Sequence, residues 1–322
     1  MACKAAAAAA APGAAGRGAE RRCLLTLATA PLLLPLLGSG CAVNTDRDHS
    51  GADAPSTTTL PRTPRVAWVF SSGGPRGFVH VGVLKALDEL GLAPDLLMGA
   101  SVGALVAVLR AGGLRGPELE HLALDLSPLK LARVARWFGG EGERLSGAAI
   151  ADLVHEQLHA KGQTSQLEKL PLMAACVAQR LQPGGGTTVV FNCGDAGLAV
   201  QAAAAIEGQF TPVRIRGQRH VDADPYMPLP VRLARQLGAQ RVLAVDASAH
   251  EDQAPPGAER YRQGDQRKRA NTRPDADAAD LLLHPKFGYW VSLSQEFRQR
   301  AIDAGYRETL AQADRLRALH AA

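Results

Sequence analysis

Aromatic side chains are scarce in this 322-residue chain, which has seven Phe, four Tyr and three Trp. Proteins that bind single-stranded nucleic acid stack bases on aromatic side chains, so the scarcity disfavours that class. The formal net charge is only +5, and Lys and Arg form no block interleaved with aromatics. We therefore predict no nucleic-acid partner. Hydrophobic residues make up 46% of the chain, enough to bury the core of one extended α/β domain.

The glycine-rich residues 71–77 lack the marks of a nucleotide-binding loop. They have no Lys-Ser/Thr ending and no G-x-G-x-x-G spacing. They follow a predicted buried strand at 66–70 and precede a helical pattern over 79–90. Glycines in such a position let backbone N–H groups converge on an anion, which favours an oxyanion hole. An ordinary glycine-rich turn is the alternative.

The sequence Gly99-Ala-Ser-Val-Gly103 has the spacing of a nucleophile elbow. It joins a strand-like run, 95–98, to a helical run, 104–110. Such a turn crowds strand against helix, so only glycine fits at Gly99 and Gly103. It presents the Ser101 hydroxyl at a helix N-terminus, where the helix dipole favours developing negative charge. We predict that Ser101 is the nucleophile of an acyl transfer, although a chance match is the alternative in a chain with 33 glycines.

Asp222 is the predicted general base. It follows a strand-like segment, 213–215, and a turn at Gly217. A serine hydroxyl needs a proton acceptor within hydrogen-bond reach, and a carboxylate in a poorly solvated place can serve. A solvated turn or cap is the alternative for an Asp-x-Asp-Pro string.

Nine histidines keep a His-dependent esterase open as another alternative. His80 falls inside a helix that is expected to pack on the sheet, and His155 lies outside the motifs. His220 precedes Asp222 by two positions and so shares its strand face. We interpret all three histidines as structural, and we predict neither a metal nor a cofactor.

Together these segments resemble the patatin-like phospholipase family over residues 66–248. The family motif G-G-G-x-R-G aligns with residues 72–77, and its next helix is similar to residues 78–87. Its G-x-S-x-G falls on 99–103, its D-G-[GA] on 222–224, and the segment leading into the latter is similar to 203–213. The resemblance implies a three-layer α/β/α sandwich with a mainly parallel central sheet. It also implies a lipid acyl hydrolase that acts on lipid or phospholipid esters at a membrane surface.

The resemblance implies a Ser-Asp dyad. Asp222 would accept the Ser101 proton as the hydroxyl attacks an ester carbonyl and an acyl-enzyme forms. Oxyanion donors would come from the N–H groups of Gly73, Gly74 or Arg76, because the intervening proline has none. Arg76 would also orient this loop.

Two departures from the family pattern leave an alternative open. Ser72 replaces the first glycine of the loop, which would cause strain if that position needs a positive φ. Ala223 and Asp224 follow the base, and the Asp224 carboxyl would raise the pKa of one of the two neighbouring acids. The alternative function is therefore a catalytically inactive envelope lipoprotein that retains the fold.

The N-terminal region predicts export to the cell envelope. Residues 1–40 read as a signal peptide, since their Leu-rich run, 23–37, is too short and proline-interrupted for a membrane span. Residues 37–41 resemble a lipobox with Cys41 as the lipidated residue; ordinary cleavage or an uncleaved anchor are the alternatives. The product would be a membrane-anchored lipoprotein or a periplasmic protein. Residues 41–64 are predicted to be a flexible tether.

Residues 65–322 are assigned to the acyl hydrolase domain. The charged segment 251–279 predicts a flexible excursion, 241–246 predicts a last parallel strand, and 114–170 predicts helices that could form a lid. Cys176 and Cys193 flank a predicted hairpin turn at 183–186, so a cross-strand disulfide is possible in an oxidising compartment. Buried free thiols are the favoured interpretation, because strand-pair geometry often suits a bridge poorly. The sequence does not indicate which oligomeric state the protein adopts.

Overall fold

The computed structural model describes residues 47–125, 146–249 and 253–321. The predicted signal peptide and Cys41 lie outside these residues, as does the middle of the predicted lid. A mixed sheet runs through the described chain in the order β1-β6-β7-β4-β3-β2-β8-β9, with β5 paired to β4. Its strands are β1 (Asp48–His49), β2 (Val66–Phe70), β3 (Leu96–Ala100), β4 (Met173–Gln182), β5 (Gly185–Phe191), β6 (Val213–Ile215), β7 (Gln218–Asp222), β8 (Arg241–Val245) and β9 (Leu281–Leu283).

Helices alternate with these strands along the chain. None in the described ranges is both long enough and apolar enough to cross a membrane. The described helices are α1 (Phe78–Glu89), α2 (Val102–Ala111), α3 (Gly116–Leu124), α4 (Ala148–Ala160), α5 (Ala196–Ala203), α6 (Val231–Gln236), α7 (Arg262–Ala276), α8 (Gln295–Ala311) and α9 (Ala313–Ala321).

The sheet is covered on both faces, which makes three layers. Successive residues of a strand point to opposite faces. Trp68 of β2 belongs to one core with Leu84 of α1, whereas its neighbour Val69 belongs to a second core with Val231 of α6. All five residues of β2 are buried, as expected for a strand between two helical layers. The predicted three-layer α/β/α sandwich is confirmed.

The central sheet is mainly parallel. β2 pairs in parallel with β3 and with β8, and β3 pairs in parallel with β4. The antiparallel pairings join β4 to β5 and β7, and β6 to β7. The strand predicted at 241–246 is present as β8, but it is not the last, because β9 pairs with it in parallel.

The tether prediction is wrong for residues 47–64. β1 pairs with β6, and the Asp53 carbonyl accepts the Asp195 N–H at 2.7 Å. Ser56 donates its N–H to the Cys193 carbonyl at 2.9 Å. The polar, Pro-containing composition suggested a solvated linker, but the backbone of this segment finds hydrogen-bond partners along the edge of the domain.

The flexible excursion predicted at 251–279 is also corrected. Most of it is helix α7. The Asp275 side chain is fully buried and accepts hydrogen bonds from the Arg232 backbone N–H at 2.7 Å and from its guanidinium at 3.0 and 3.1 Å. Charge in this segment therefore pairs with the domain instead of keeping the chain in solvent.

The predicted β4–β5 hairpin forms, and its cysteines are free thiols. Cys176 lies opposite Phe191, so Cys193 falls beyond the end of β5. Cys176 is fully buried, and burial raises the pKa of its thiol. The favoured interpretation of buried free thiols therefore holds for Cys176, whereas Cys193 is free but only half-buried.

Candidate active site

Ser101 lies in a sharp turn between β3 and α2. Its φ of 53° and ψ of −126° are unusual for a residue with a side chain. A Cβ atom on Gly99 would lie 2.2 Å from the Gly103 carbonyl, and one on Gly103 would lie 2.3 Å from the Phe70 oxygen. Both flanking positions therefore require glycine, for the steric reason that the motif predicts. Strain of this kind is held by the surrounding packing and is typical of functional positions.

The strand register brings Ser101 and Asp222 together. Along one edge of β4, Val177 lies opposite Ala100 and the next residue, Ala178, lies opposite Asp222. β7 thus continues the edge where β3 ends, and Ser101 directly follows Ala100. The Ser101 hydroxyl is close enough to the Asp222 carboxylate to lower the pKa of Asp222 as a hydrogen-bond donor.

Asp222 is a buried carboxylate, and only one of its two oxygens has a well-aligned hydrogen-bond partner among the described residues. Its side chain is 3% exposed, and Oδ1 accepts the Asp224 N–H at 2.8 Å. Oδ2 is buried and has no well-aligned hydrogen-bond partner among the described residues; such contacts are often loose before a substrate binds. Burial, then the Asp224 charge, raises the pKa of Asp222 to about 7. A base of this pKa suits proton transfer near neutral pH.

The glycine-rich loop packs against the elbow. The loop continues into a 3₁₀ turn, Gly74–Gly77, and a Cβ atom on Gly77 would lie 2.4 Å from the Val102 side chain. The Arg76 N–H donates to the Gly73 carbonyl at 3.1 Å, so it is engaged within the turn. Of the three predicted oxyanion donors, Arg76 is therefore the one whose N–H already has a backbone partner. In the described chain, no hydrogen bond uses the N–H of Gly73 or Gly74.

The family model for patatin-like phospholipase matches residues 68–235, which span the glycine loop, the elbow and Asp222. The chain belongs to the patatin-like phospholipase family.

Several relatives agree with this membership. An uncharacterised NTE family protein of Mycobacterium tuberculosis is 31% identical over 189 residues, covering 59% of this chain and 51% of that protein. Human patatin-like phospholipase domain-containing protein 6 is 25% identical over 189 residues, covering 58% of this chain and 14% of that protein. The chain thus spans about half the length of the mycobacterial relative.

Two solved structures have folds similar to that of this chain. The type III effector protein ExoU has a TM-score of 0.45 at 15% identity, over 80% of this chain and 54% of ExoU. VipD from Legionella pneumophila has a TM-score of 0.44 at 14% identity, over 83% of this chain and 70% of VipD. Both likenesses concern the fold alone.

In this patatin-like chain the Arg76 side chain fixes the glycine loop to two other segments. It is 5% exposed and donates from Nε to the Ala247 carbonyl at 2.7 Å. Nη1 donates to the carbonyls of Gly288 at 2.6 Å and Tyr289 at 3.3 Å. The guanidinium lies 4.4 Å from the centre of the Phe287 ring. These contacts suit a residue that orients the loop, and burial lowers the pKa of Arg76 to about 10, still far above neutral pH.

The two departures from the family motif contact each other. Ser72 is buried, and Ser101 and Arg216 are the described non-glycine residues with positive φ, so the expected strain at Ser72 does not arise. The Ser72 hydroxyl donates to Asp224 Oδ1, which also accepts Lys268 Nζ at 2.6 Å. Burial opposes ionisation of Asp224, but Lys268 and Ser72 outweigh it and lower its pKa. Asp224 is therefore a charged, paired group.

Lys268 is the site-adjacent residue that sequence reasoning missed. It lies on α7, in the segment predicted to be flexible, 46 positions after Asp222. A lysine within a run of charged residues gives no local sign of a partner distant in the sequence. The packing of α7 against the residues that follow β7 brings Lys268 to the site.

The histidines have structural partners. His80 is buried, contacts the Ser71 carbonyl at 2.9 Å through Nε2, and has its pKa lowered to about 4 by burial. His155 contacts the Asp195 carboxylate at 2.9 Å, and the His220 ring packs edge-on against Phe191. No group of three or more His, Cys, Asp or Glu side chains in the described ranges could hold a metal ion.

Proposed function

We propose that this protein is a lipid acyl hydrolase that uses a Ser101–Asp222 dyad. The observation that carries the proposal is a strained serine beside a buried carboxylate: Asp222 and Ala100, the residue before Ser101, lie opposite adjacent positions on one edge of β4. The family supplies the substrate class, a lipid or phospholipid ester. Because the carboxylate faces the serine directly, the chemistry needs no intervening histidine.

The reaction proceeds in two steps. Ser101 Oγ bonds to the ester carbonyl carbon while its proton moves to Asp222, and the N–H groups of Gly73 and Gly74 stabilise the oxyanion. Collapse of the tetrahedral intermediate breaks the ester bond, and Asp222 returns the proton to the leaving alcohol. Water then attacks the acyl carbon of the acyl-enzyme while one of its protons moves to Asp222. Collapse of this second intermediate breaks the bond from Ser101 Oγ to the acyl carbon, Asp222 returns the proton to Ser101 Oγ, and the fatty acid leaves. Oxyanion donors of this kind contribute about 10²- to 10³-fold each in other enzymes.

Hydrolysis assays test this function. The purified full chain is expected to cleave a medium-chain p-nitrophenyl ester and a phospholipid, with preference for aggregated over monomeric substrate, while Ser101→Ala is inactive. A folded parent chain that cleaves neither substrate would contradict the proposal and favour the catalytically inactive lipoprotein.

The rate of hydrolysis is expected to rise with pH through about 7. The raised pKa of Asp222 means that the carboxyl is protonated, and so unable to accept the Ser101 proton, below that pH. Activity is therefore lost as the pH falls through the pKa and is full above it. A kcat/KM profile between pH 5 and 9 checks this; a profile flat down to about pH 5 would exclude Asp222 as a base of raised pKa.

We propose that an anionic lipid surface contacts an aromatic patch beside the glycine loop. The patch comprises Tyr261, Trp290 and Val291, which are 41%, 52% and 52% exposed. The rings of Tyr261 and Trp290 lie 6.0 Å apart. Trp290 directly follows Tyr289, whose carbonyl accepts a hydrogen bond from the guanidinium of Arg76 in the glycine loop, as does that of the residue before it. Exposed Arg260 and Arg262 flank the patch, and Trp, Tyr and basic side chains together suit an anionic membrane interface.

Trp290→Ser is expected to weaken binding to phosphatidylglycerol vesicles about tenfold, since an interfacial Trp contributes on the order of 1 to 2 kcal/mol. Vesicle sedimentation in the Ser101→Ala background measures binding without hydrolysis. Leu282→Ser, at another exposed apolar side chain, is the matched control and should bind like the parent. Equal loss in both variants, or none in Trp290→Ser, would argue against the patch.

The proposed location is the cell envelope. It rests on the signal-peptide and lipobox patterns in residues 1–41, which lie outside the described residues. Mass spectrometry of the mature N-terminus distinguishes a lipidated Cys41 from ordinary cleavage.

A further inference from the structure

Asp224 connects three parts of the site. Its backbone N–H donates to Asp222 Oδ1 at 2.8 Å. Its own Oδ1 accepts the Ser72 hydroxyl from the glycine loop and Lys268 Nζ from α7. One residue thus contacts the base, the loop that would hold the oxyanion, and a helix from a distant part of the chain.

Ser72 has a fixed position within this arrangement. It is fully buried, and its N–H donates to the Pro228 carbonyl at 2.8 Å. A glycine here would keep that backbone bond but would have no hydroxyl for Asp224. The two departures from the family motif are therefore a complementary donor and acceptor.

Lys268 is held in place by its helix. Asn271 donates to the Pro225 carbonyl at 2.8 Å, and buried Asp275 pairs with Arg232. Both contacts lie C-terminal to Lys268 on α7, and they hold this helix against the segment that follows β7. The Lys268 side chain is only 22% exposed, and the Asp224 side chain is 38% exposed, so this ion pair is partly shielded from solvent.

We propose that Lys268 and Asp224, together with Ser72, form a positioning unit that fixes the Asp222 carboxylate relative to the glycine loop and balances its charge. The inference rests on the proposed function, because it assigns to these residues an effect on the Ser101–Asp222 dyad. None of the three is proposed to touch the substrate.

The charges of Asp224 and Lys268 shift the pKa of Asp222 in opposite directions. Asp224 disfavours the ionised form of Asp222 and Lys268 favours it. The Asp246 charge raises the pKa of both Asp224 and Lys268. The pKa of His220, on the same strand, is lowered by burial, which keeps this ring neutral near pH 7.

Two opposite substitutions separate these contributions. Lys268→Met removes the positive charge, so the pKa of Asp222 rises and the acid limb of kcat/KM moves up by about one pH unit. Asp224→Asn keeps the backbone donor and an acceptor for Ser72 but removes the negative charge, so the limb moves down by about one unit. The double variant is expected to lie between them, and Lys268→Arg to stay near the parent.

Lys169→Met is the matched control. It makes the same charge change at an exposed lysine before β4, at the opposite end of the strands from Ser101, and should leave the profile unchanged. Acid limbs that coincide in the parent, Lys268→Met and Asp224→Asn would overturn the positioning unit. If Lys268→Met does not fold, Asp224→Asn still decides the outcome, because an acid limb that coincides with that of the parent would overturn the unit.

A second measurement separates this inference from the proposed function. An NMR titration of aspartate carboxyls labelled with ¹³C in the full chain follows Asp222 directly, with Asp222→Asn identifying its signal. Opposite shifts of the Asp222 midpoint in Lys268→Met and Asp224→Asn support the unit even if the parent hydrolyses no ester. Unmoved midpoints in an active enzyme would refute the unit and leave the proposed function intact.

Discussion

Asp222→Asn is expected to lower kcat/KM for ester hydrolysis by about 10³- to 10⁴-fold with the fold intact. An asparagine can keep the contact to the Asp224 N–H, because its amide oxygen can replace Oδ1. It cannot accept the Ser101 proton, so the hydroxyl remains a weak nucleophile at every pH. Steady-state kinetics and thermal unfolding of parent and variant measure the two effects.

His220→Gln is the control for a histidine base. His220 lies on the same strand face, two positions before Asp222, and packs against Phe191. This variant is expected to retain most of the parent activity. A loss as large as that of Asp222→Asn, in a folded protein, would replace the dyad with a His-dependent mechanism.

Gly82→Ala is expected to lower the free energy of unfolding by about 3 kcal/mol. Gly82 lies on α1 where this helix crosses α8, and a Cβ atom there would lie 1.8 Å from the Ile302 carbonyl oxygen. Gly305 on α8 is its counterpart, since a Cβ atom there would lie 2.1 Å from the Val79 oxygen. Two backbones in direct contact cannot separate without disturbing the packing around them.

Gly264→Ala is the matched control for Gly82→Ala. Gly264 lies in α7 with nothing within 4 Å of the added Cβ atom. Alanine is the better helix former, so this variant is expected to gain about 0.5 to 1 kcal/mol. Urea unfolding measures both. Equal stability of the Gly82→Ala variant and the parent would show that the two helices can move apart at low cost.

The features that were predictable from sequence are those that depend on local sterics. A Cβ atom on Gly99 would meet the Gly103 backbone within the same turn, and one on Gly103 would meet the end of the neighbouring strand β2. The buried strand at 66–70 was legible from its apolar run. The prediction of Asp222 as the base rests on a motif, but the register that brings it near Ser101 depends on its pairing with Ala178 of β4, distant in the sequence.

The errors arose where composition was taken as a sign of solvent exposure. Residues 47–64 are polar yet pair with the domain edge, and α7 is highly charged yet supplies Lys268 to Asp224. In both cases a partner distant in sequence satisfies the polar groups, and a local pattern cannot identify that partner. For the same reason, the sequence shows Ser72 and Asp224 as two separate departures from the family motif, although their side chains are hydrogen-bonded to each other.

A fluorophosphonate probe on the intact chain tests the central claim most directly. The probe forms a covalent bond with an activated serine, and peptide mass spectrometry locates it. We predict one adduct, on Ser101, that is absent in Ser101→Ala and strongly slowed in Asp222→Asn. A folded chain that gives no adduct, or an adduct on another serine, would contradict the dyad.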